Sequence, residues 1–580
     1  MNDIIWRREC GTCAVKERRT NKNNLPFKRD TGIPFKRFGV RTDCSRNAVW
    51  SVPALKKWID IISKLGYNTL TLYCEDTYEI EGEPYFGYGR GRFTKDELKE
   101  LNAYAREREV EMIPGTNTLA HLGSIFRWAH YAEINDNADI LLCEDERTYA
   151  LIEKMIATAA ECFDSRVIDI NMDEADMLGR GKYYAKHGPD KRIEILKRHM
   201  NRVCEIARSY GFEMIMISGD MSFRLATHSE SYSNTKAVVQ EDVSDLIPEG
   251  AVLKYWDYYK RSKEDYTALT KVHQQIKAEG LWYQCGVWTW HAFSPENNYS
   301  TGAIRNSLQA AMENGVENIN VCFFGDDGGE CARFAGLPGL FYASQIAKGI
   351  DDEAVIKQNF EKEFGIPYDQ FLLIDLTQRN ETEEYCVHPT RYILYNDPFI
   401  GLMDMTLPES TRADHEELVK LLKPLCGNKE WGYLFQTMHD LCAVTAAKCD
   451  IGTRIRAAYD AGDKKQLKKL AKELRRIRDL VEKFYYSFRR QWMLENKPHG
   501  FDVSDVRIGG VMTRLLHCAQ RLDEYVAGKV DRIEELEETL LDVRTPLSPD
   551  YGKRKYLNYW DRNSRYYTEI VSANWVGKGF

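Results

Sequence analysis

Asp173 and Glu174 stand side by side where a strand-like apolar run (Val167, Ile168, Ile170, Met172) gives way to the loop Ala175-Asp176-Met177-Leu178-Gly179. Adjacent carboxyl groups at the end of a buried strand are costly to desolvate, so they require partners or a reaction. A solvated loop start is the plain alternative. Other chemistry-bearing residues close similar runs: Asp43 and Arg46, Glu75 and Asp76, His121, Asp220, Trp256-Asp257-Tyr258-Tyr259, Trp288 and Trp290, and Asp326-Asp327 with Glu330. Around one cavity, this set matches what a pyranose asks for. Aromatic faces stack on its C–H surface, while carboxylates and Arg grip its hydroxyls. Asp326-Asp327-Gly328-Gly329-Glu330 and His121 also offer hard metal ligands. No HExxH or other spaced ligand pair accompanies them, and a metal site leaves the tryptophans unexplained, so none is expected.

These residues need elements to bring them together. From residue 37 to 350, short β-rich runs alternate with helix-period segments, the pattern of parallel strands joined by crossovers. The runs are Phe38–Asp43, Thr69–Cys74, Glu111–Pro114, Val167–Met172, Met214–Ile217, Val252–Trp256, Trp282–Trp288 and Ile319–Phe324. Leu55, Trp58, Ile59, Ile62 and Leu65 share one helical face closed by Gly66. Other helices open at Thr94 and span 146–162. Such a repeat predicts an α/β fold, a (β/α)₈ TIM barrel with its chemistry at the C-terminal strand ends. An open doubly wound sheet competes, but GxGxxG and GKS/T are absent. Trp288 and Trp290 alternate and so share a strand face.

Past residue 350 helix periodicity takes over. Leu467, Leu470, Leu474, Ile477, Leu480, Phe484 and Phe488 trace a stripe that reads as bundle core. Further helices are expected around 411–423, 431–448, 511–527 and 531–541. The division expected is an N-terminal arm over 1–36, a catalytic barrel over 37–350 and a mainly α-helical C-terminal domain over 351–580. A chain of 580 residues supports several domains.

Composition excludes some partners. A net charge of −8 provides no basic field for nucleic acid or an anionic membrane. No apolar run approaches the roughly 18 residues of a membrane span. Fifteen cysteines lack framework spacing and the N-terminus has no signal-peptide core, so a reducing cytoplasm is expected. Cys10-Gly11-Thr12-Cys13 is a close pair without the second pair that zinc needs.

Taken in order, several motifs resemble glycoside hydrolase family 20, the exo-β-N-acetylhexosaminidases, and in particular an intracellular branch. They are Asp43-Cys44-Ser45-Arg46, Leu72-Tyr73-Cys74-Glu75-Asp76-Thr77-Tyr78-Glu79 with Gly82-Glu83-Pro84-Tyr85-Phe86, Thr118-Leu119-Ala120-His121 and Met172-Asp173-Glu174. Tyr255-Trp256-Asp257-Tyr258-Tyr259, Gly325-Asp326-Asp327-Gly328 and Tyr395-Asn396-Asp397-Pro398 follow. The resemblance implies a (β/α)₈ catalytic domain and removal of a terminal β-linked GlcNAc or GalNAc with retention. It implies that Glu174 is the acid and then the base, and that the substrate's own 2-acetamido oxygen is the nucleophile. It implies that Asp173 holds the acetamido N–H, that Asp76 and His121 form a relay behind the acid, and that Tyr258, or Tyr259, binds the acetamide carbonyl. Arg46 and Asp326 would hold sugar hydroxyls, with Glu330 beside them and Trp256, Trp288, Trp290 and Phe324 as stacking surfaces.

Some residues depart from the family pattern. Ser218 and Phe324 stand where tryptophan is usual, and Asp169 and Asn171 replace His and Gly. These changes leave open a different terminal sugar, or a carbohydrate-binding protein without turnover. Arg46 and Asp43 can also be read as a mutual strand-end pair, and His121 as a core histidine. The expected partner is a small oligosaccharide or glycoconjugate, with no cofactor. A homodimer, the linkage and the role of the helical domain stay open.

Overall fold

The computed structural model describes residues 31–378 and 389–541. Cys10 and Cys13, most of the expected N-terminal arm and residues 542–580 of the expected C-terminal domain lie outside them. Eight parallel strands close into a barrel: β1 Arg37–Asp43, β2 Thr69–Cys74, β3 Glu111–Thr116, β4 Val167–Asn171, β5 Met214–Ser218, β6 Ala251–Trp256, β7 Trp282–Gly286 and β8 Asn318–Phe323. Every strand pairs with its chain neighbours, and β8 closes on β1 with Thr42 opposite Phe323. Both faces are covered, which is why these strands read as nearly continuous apolar runs.

The crossover helices have local causes. In Val52–Leu65 the Ser51 side chain caps the first turn, and Gly66, at φ 98°, ends the helix in a left-handed conformation that a side chain would disfavour. Thr94 and Glu97 form a reciprocal capping box at the start of Lys95–Arg106. A short antiparallel pair, Asn135–Asn137 with Ile140–Leu141, decorates the loop after β3; strands of two and three residues are too short for an alternation to show.

Helices fill the region after the barrel. Lys464–Glu495 packs along Phe501–Val526 with Leu467, Leu470, Leu474, Ile477, Phe484 and Phe488 buried. Val481, not Leu480, takes the intervening buried position. The helix expected from 511 begins at Phe501, after Gly500 in the left-handed region, because Phe501 is itself buried. The one expected over 531–541 is a single turn, Glu534–Glu537, since its acidic residues leave only Ile533 and Leu536 to bury.

This helical layer grips the C-terminal ends of the strands. Lys497 N–H donates to Val49 O at 2.7 Å and Ser51 N–H to Glu495 O at 3.0 Å. Arg333 donates to Asn496 at 2.6 Å and to the carbonyl of Asp43 at 2.6 Å. The loop carrying Arg46 is thereby braced from behind.

Candidate active site

β4 does not end as a regular strand. Its pairing with β5 shifts between Asp169 and Asn171, and Asn171, Met172 and Glu174 take φ of 57°, 74° and 53°. Successive residues of a flat strand would point to opposite faces. Here the bulge and the left-handed residues turn both Asp173 and Glu174 to one cavity, a concentration of strained backbone of the kind found at functional sites. His121, at φ 61°, shares that conformation.

His121 Nε2 lies 3.5 Å from Asp173 Oδ2 and 3.5 Å from Glu174 Oε2. Burial works against its charge, but Asp173 dominates and pushes the imidazole up to about 10, so it is a cation at neutral pH. Burial likewise works against the Asp173 carboxylate. His121, Lys254 and Arg41 outweigh that cost and hold it well below the usual carboxylate range. Asp173 Oδ1 is buried with no hydrogen-bond partner. Beneath the pair, Asp220 Oδ2 accepts the Glu174 N–H at 2.8 Å. Burial, with Asp173 and Glu174 adding repulsion, pushes Asp220 up to about 7.

On the β1 side, Asp43 accepts from Ser45 Oγ at 2.7 Å and from Gly325 N–H at 3.0 Å. Arg46 sits 3.2 Å from Asp43, 3.3 Å from Glu75 and 3.6 Å from Asp326. The Arg46–Asp43 pair exists, and Arg46 also lines the cavity. The opposite wall is aromatic. Trp256 stacks on Tyr258 at 5.7 Å, Tyr258 meets Trp290 at 5.2 Å, and Phe324 stands 6.1 Å from Trp290.

Arg41, Lys254 and Gln284 also line this cavity, and the inventory of strand ends missed them. Arg41 donates to Asp169 and Asn171, each at 2.5 Å, and Lys254 Nζ to Asp169 at 2.7 and 2.9 Å and to Asn171 at 2.9 Å. The two β4 residues that depart from the family pattern are thus matched by cations on β1 and β6. The available signal was charge in mid-strand, which parallel strands buried on both faces rarely tolerate unpaired. Asp139 was missed too: it accepts the His121 backbone N–H at 2.9 Å and lies 3.9 Å from its Nδ1.

The cavity opens to solvent, spans about 520 Å³ with that open space included, and is lined by Arg46, His121, Asp173, Glu174, Trp256, Tyr258, Trp290, Phe324 and Asp326 of the expected residues, together with Ser218 and Tyr259. Three expected residues stand elsewhere. Asp76 pairs with Arg90 at 2.7 Å, so the neighbour of His121 Nδ1 is Asp139 instead. Trp288 lies behind Trp290, its rings 4.9 Å away and its Nε1–H donating to Tyr258 O at 3.0 Å, because β7 stops at Gly286 and the two tryptophans are no longer on one strand face. Glu330 is buried against the helical layer, accepting from Tyr395 and Arg507, each at 3.0 Å. Asp327 meets Arg391. Asp326 lies on Arg46, Asp327 on Arg391 and Glu330 on Arg507, and among the described residues no group of three or more His, Cys, Asp or Glu is placed to hold a metal ion.

Comparison with known proteins follows the same layout. Residues 35–321 match the model of the glycosyl hydrolase family 20 catalytic domain, and residues 369–554 that of the glycoside hydrolase 20C C-terminal domain. Hexosaminidase D of Bos taurus is 24% identical over 162 residues, 27% of this chain and 47% of that protein, so the chain spans about half the length of this curated relative. Among solved structures, an exo β-N-acetylglucosaminidase from Vibrio harveyi in complex with N-acetylglucosamine is 13% identical, with 59% of each chain covered and a TM-score of 0.44. The Streptomyces plicatus N-acetyl-β-hexosaminidase is 17% identical over 59% of this chain and 70% of its own, with a TM-score of 0.42.

Proposed function

Since the chain belongs to glycoside hydrolase family 20, we propose that it is an exo-acting, retaining β-N-acetylhexosaminidase whose nucleophile is the substrate's own acetamido oxygen. The observation that carries this reading is the Asp173–His121–Glu174 cluster with Asp173 Oδ1 buried and unpartnered. An ionised carboxylate with a free acceptor suits an acetamido N–H and the positive charge that grows on it.

The remaining roles are those the family resemblance implies, and the geometry supports them. Gln284 Nε2–H donates to the Tyr258 oxygen at 2.7 Å, which leaves the phenol proton to point at a substrate carbonyl. Tyr258 and Asp173 then hold the acetamide at both ends, and its oxygen attacks C1 while Glu174 protonates the departing oxygen. Glu174 is half exposed, so water can follow; the resulting carboxylate takes its proton as the oxazolinium opens. Two inversions at C1 give net retention. Arg46 and Asp326 grip the hydroxyls of the terminal sugar, and Trp290 and Phe324 stack on its ring.

A second reading keeps the barrel and changes the sugar. It draws on Ser218 and Phe324, which stand where tryptophan is usual in the family, and on Lys254 and Gln284, which add polar groups to the cavity lining. The barrel over 37–350 carries the chemistry in either case, with the described helices between 389 and 541 as its brace. The twelve cysteines among the described residues are free thiols, which fits a reducing compartment such as the cytoplasm. Among the described residues no helix is long and apolar enough to cross a membrane.

The test compares chromogenic β-glycosides of 2-acetamido-2-deoxyglucose and of plain glucose, with wild type and Glu174→Gln. Turnover of the acetamido substrate alone, lost in the variant, is expected. Equal turnover of the glucoside would sink the acetamido mechanism and point to a protein nucleophile. Turnover of neither would favour the changed sugar and the carbohydrate-binding protein without turnover together.

A further inference from the structure

Beyond the cavity, two loops at the C-terminal ends of β2 and β3 raise aromatic rings into solvent. Tyr85 and Tyr88 are 42% and 59% exposed. Both meet Trp128, at 5.6 Å with planes 32° apart and at 5.5 Å nearly edge-on, and His130 lies 5.7 Å from Tyr85. These rings are not stray loop residues. Tyr131 and Lys154 bond to the buried Glu83, and Arg92 donates to carbonyls of the same loop, so the segment is built to hold its shape.

The loop that carries Tyr85 and Tyr88 is tied to residues next to the cavity lining. Arg90, two residues past Tyr88, donates to Asp76 at 2.7 Å and also reaches Ser124 and the carbonyl of Ser45, the residue before Arg46. Ser124 follows His121, which touches Glu174, by three residues. The leaving group must depart past the acid, and Glu174 is the most exposed of the cavity carboxylates. The rings stand on the two loops that Arg90 ties together and to Ser45, the neighbour of Arg46.

We propose that Tyr85, Tyr88 and Trp128 form a saccharide platform for the leaving-group side of the substrate, so that β-linked oligosaccharides of several sugars are preferred over simple glycosides. The proposal rests on the glycosidase reading above. The exposed faces of Tyr85 and Tyr88 and the half-buried Trp128 give sugar C–H surfaces area to cover without burying a charge, and His130, 3.3 Å from Glu83, lies against Tyr85.

Titration calorimetry on the full chain carrying Glu174→Gln tests it, with N-acetylglucosamine and its β-1,4-linked trisaccharide as ligands. Tyr88→Ala and Trp128→Ala should each weaken trisaccharide binding about tenfold while leaving the monosaccharide within about twofold. Tyr88→Phe should restore it, because stacking needs only the ring. Equal losses for both ligands, no loss for either, or no trisaccharide binding in the parent would overturn the platform. So would variants that keep the trisaccharide but turn a dimer into a monomer in solution, which would make this face a protein interface. Hydrolysis of the monosaccharide chromogenic glycoside by wild type is read separately: its absence sinks the proposed activity, while trisaccharide binding still decides the platform.

Discussion

Two acidic clusters follow barrel strands in this chain, Asp173-Glu174 after β4 and Asp326-Asp327 with Glu330 after β8, and their fates differ. In the first, the balancing cation is His121, itself in the cavity, and Asp173 keeps an oxygen without a partner. In the second, Arg391 and Arg507 reach in from the helical layer and take Asp327 and Glu330. Only Asp326 is left facing the cavity. Where the counter-charge comes from decides the job. A cation inside the site leaves the carboxylates free to act, whereas a cation from a neighbouring layer converts them into mortar.

The sharpest way to break this contrast is to remove the open carboxylate. Asp173→Asn should lower kcat on acetamido glycosides by about 10²- to 10³-fold, the scale of losing a preorganised charge in a dry site. It should also let the His121 imidazolium, held up chiefly against burial by Asp173, fall toward the ordinary histidine range in NMR titration. An unchanged kcat would take Asp173 out of the reaction.

Arg391→Met attacks the locked cluster. It leaves Asp327 and Glu330 buried with one cation fewer and should cost about 3 kcal/mol in urea denaturation, as broken buried pairs do. Arg391 also donates to the carbonyl of His291, next to Trp290, so activity should fall along with stability. A loss below about 1 kcal/mol would mean that the helical layer does not hold this loop.

Within the second cluster the contrast becomes finer. Asp326→Asn should raise KM about tenfold with little change in stability, the value of one good hydrogen bond to a charged group. Glu330→Gln should leave KM within about twofold and lower stability instead. Reversed results would return Glu330 to substrate binding and make Asp326 structural.

The barrel was legible because each buried strand writes itself as a short apolar run; β2 spans Thr69–Cys74 and the helix Glu146–Cys162 as read from pattern alone. Much of the cavity was legible for the same reason, since its residues sit where strands end. What stayed hidden depends on partners far away in the chain. Arg41 finds Asp169 across 128 residues and Lys254 finds it across 85, so each looks like an interruption of its own strand until the other is in place. Glu330 and Asp76 sit near strand ends like true cavity residues, and only Arg507, 177 residues from Glu330, and Arg90 show otherwise. Trp288 was misplaced because alternation predicts a shared face only while the strand lasts.

The effect that shows only as a drift with pH belongs to Asp220, whose Oδ2 accepts the Glu174 N–H in the open cluster. Its folded carboxyl titrates at about 7, burial being the main cause, while an unfolded one titrates near the ordinary aspartate value. Between those values the folded chain holds a proton that the unfolded chain has lost, so the contribution of this site falls as pH rises from about 4 to about 7 and levels off above. Asp220→Asn keeps an oxygen for the Glu174 N–H and has no proton to lose. Its stability relative to wild type should therefore improve by roughly 1–3 kcal/mol between about pH 5 and about pH 8 in urea denaturation. A gap that stays constant with pH would mean that Asp220 is ionised beneath Asp173 throughout, with its repulsion relieved by groups other than a proton.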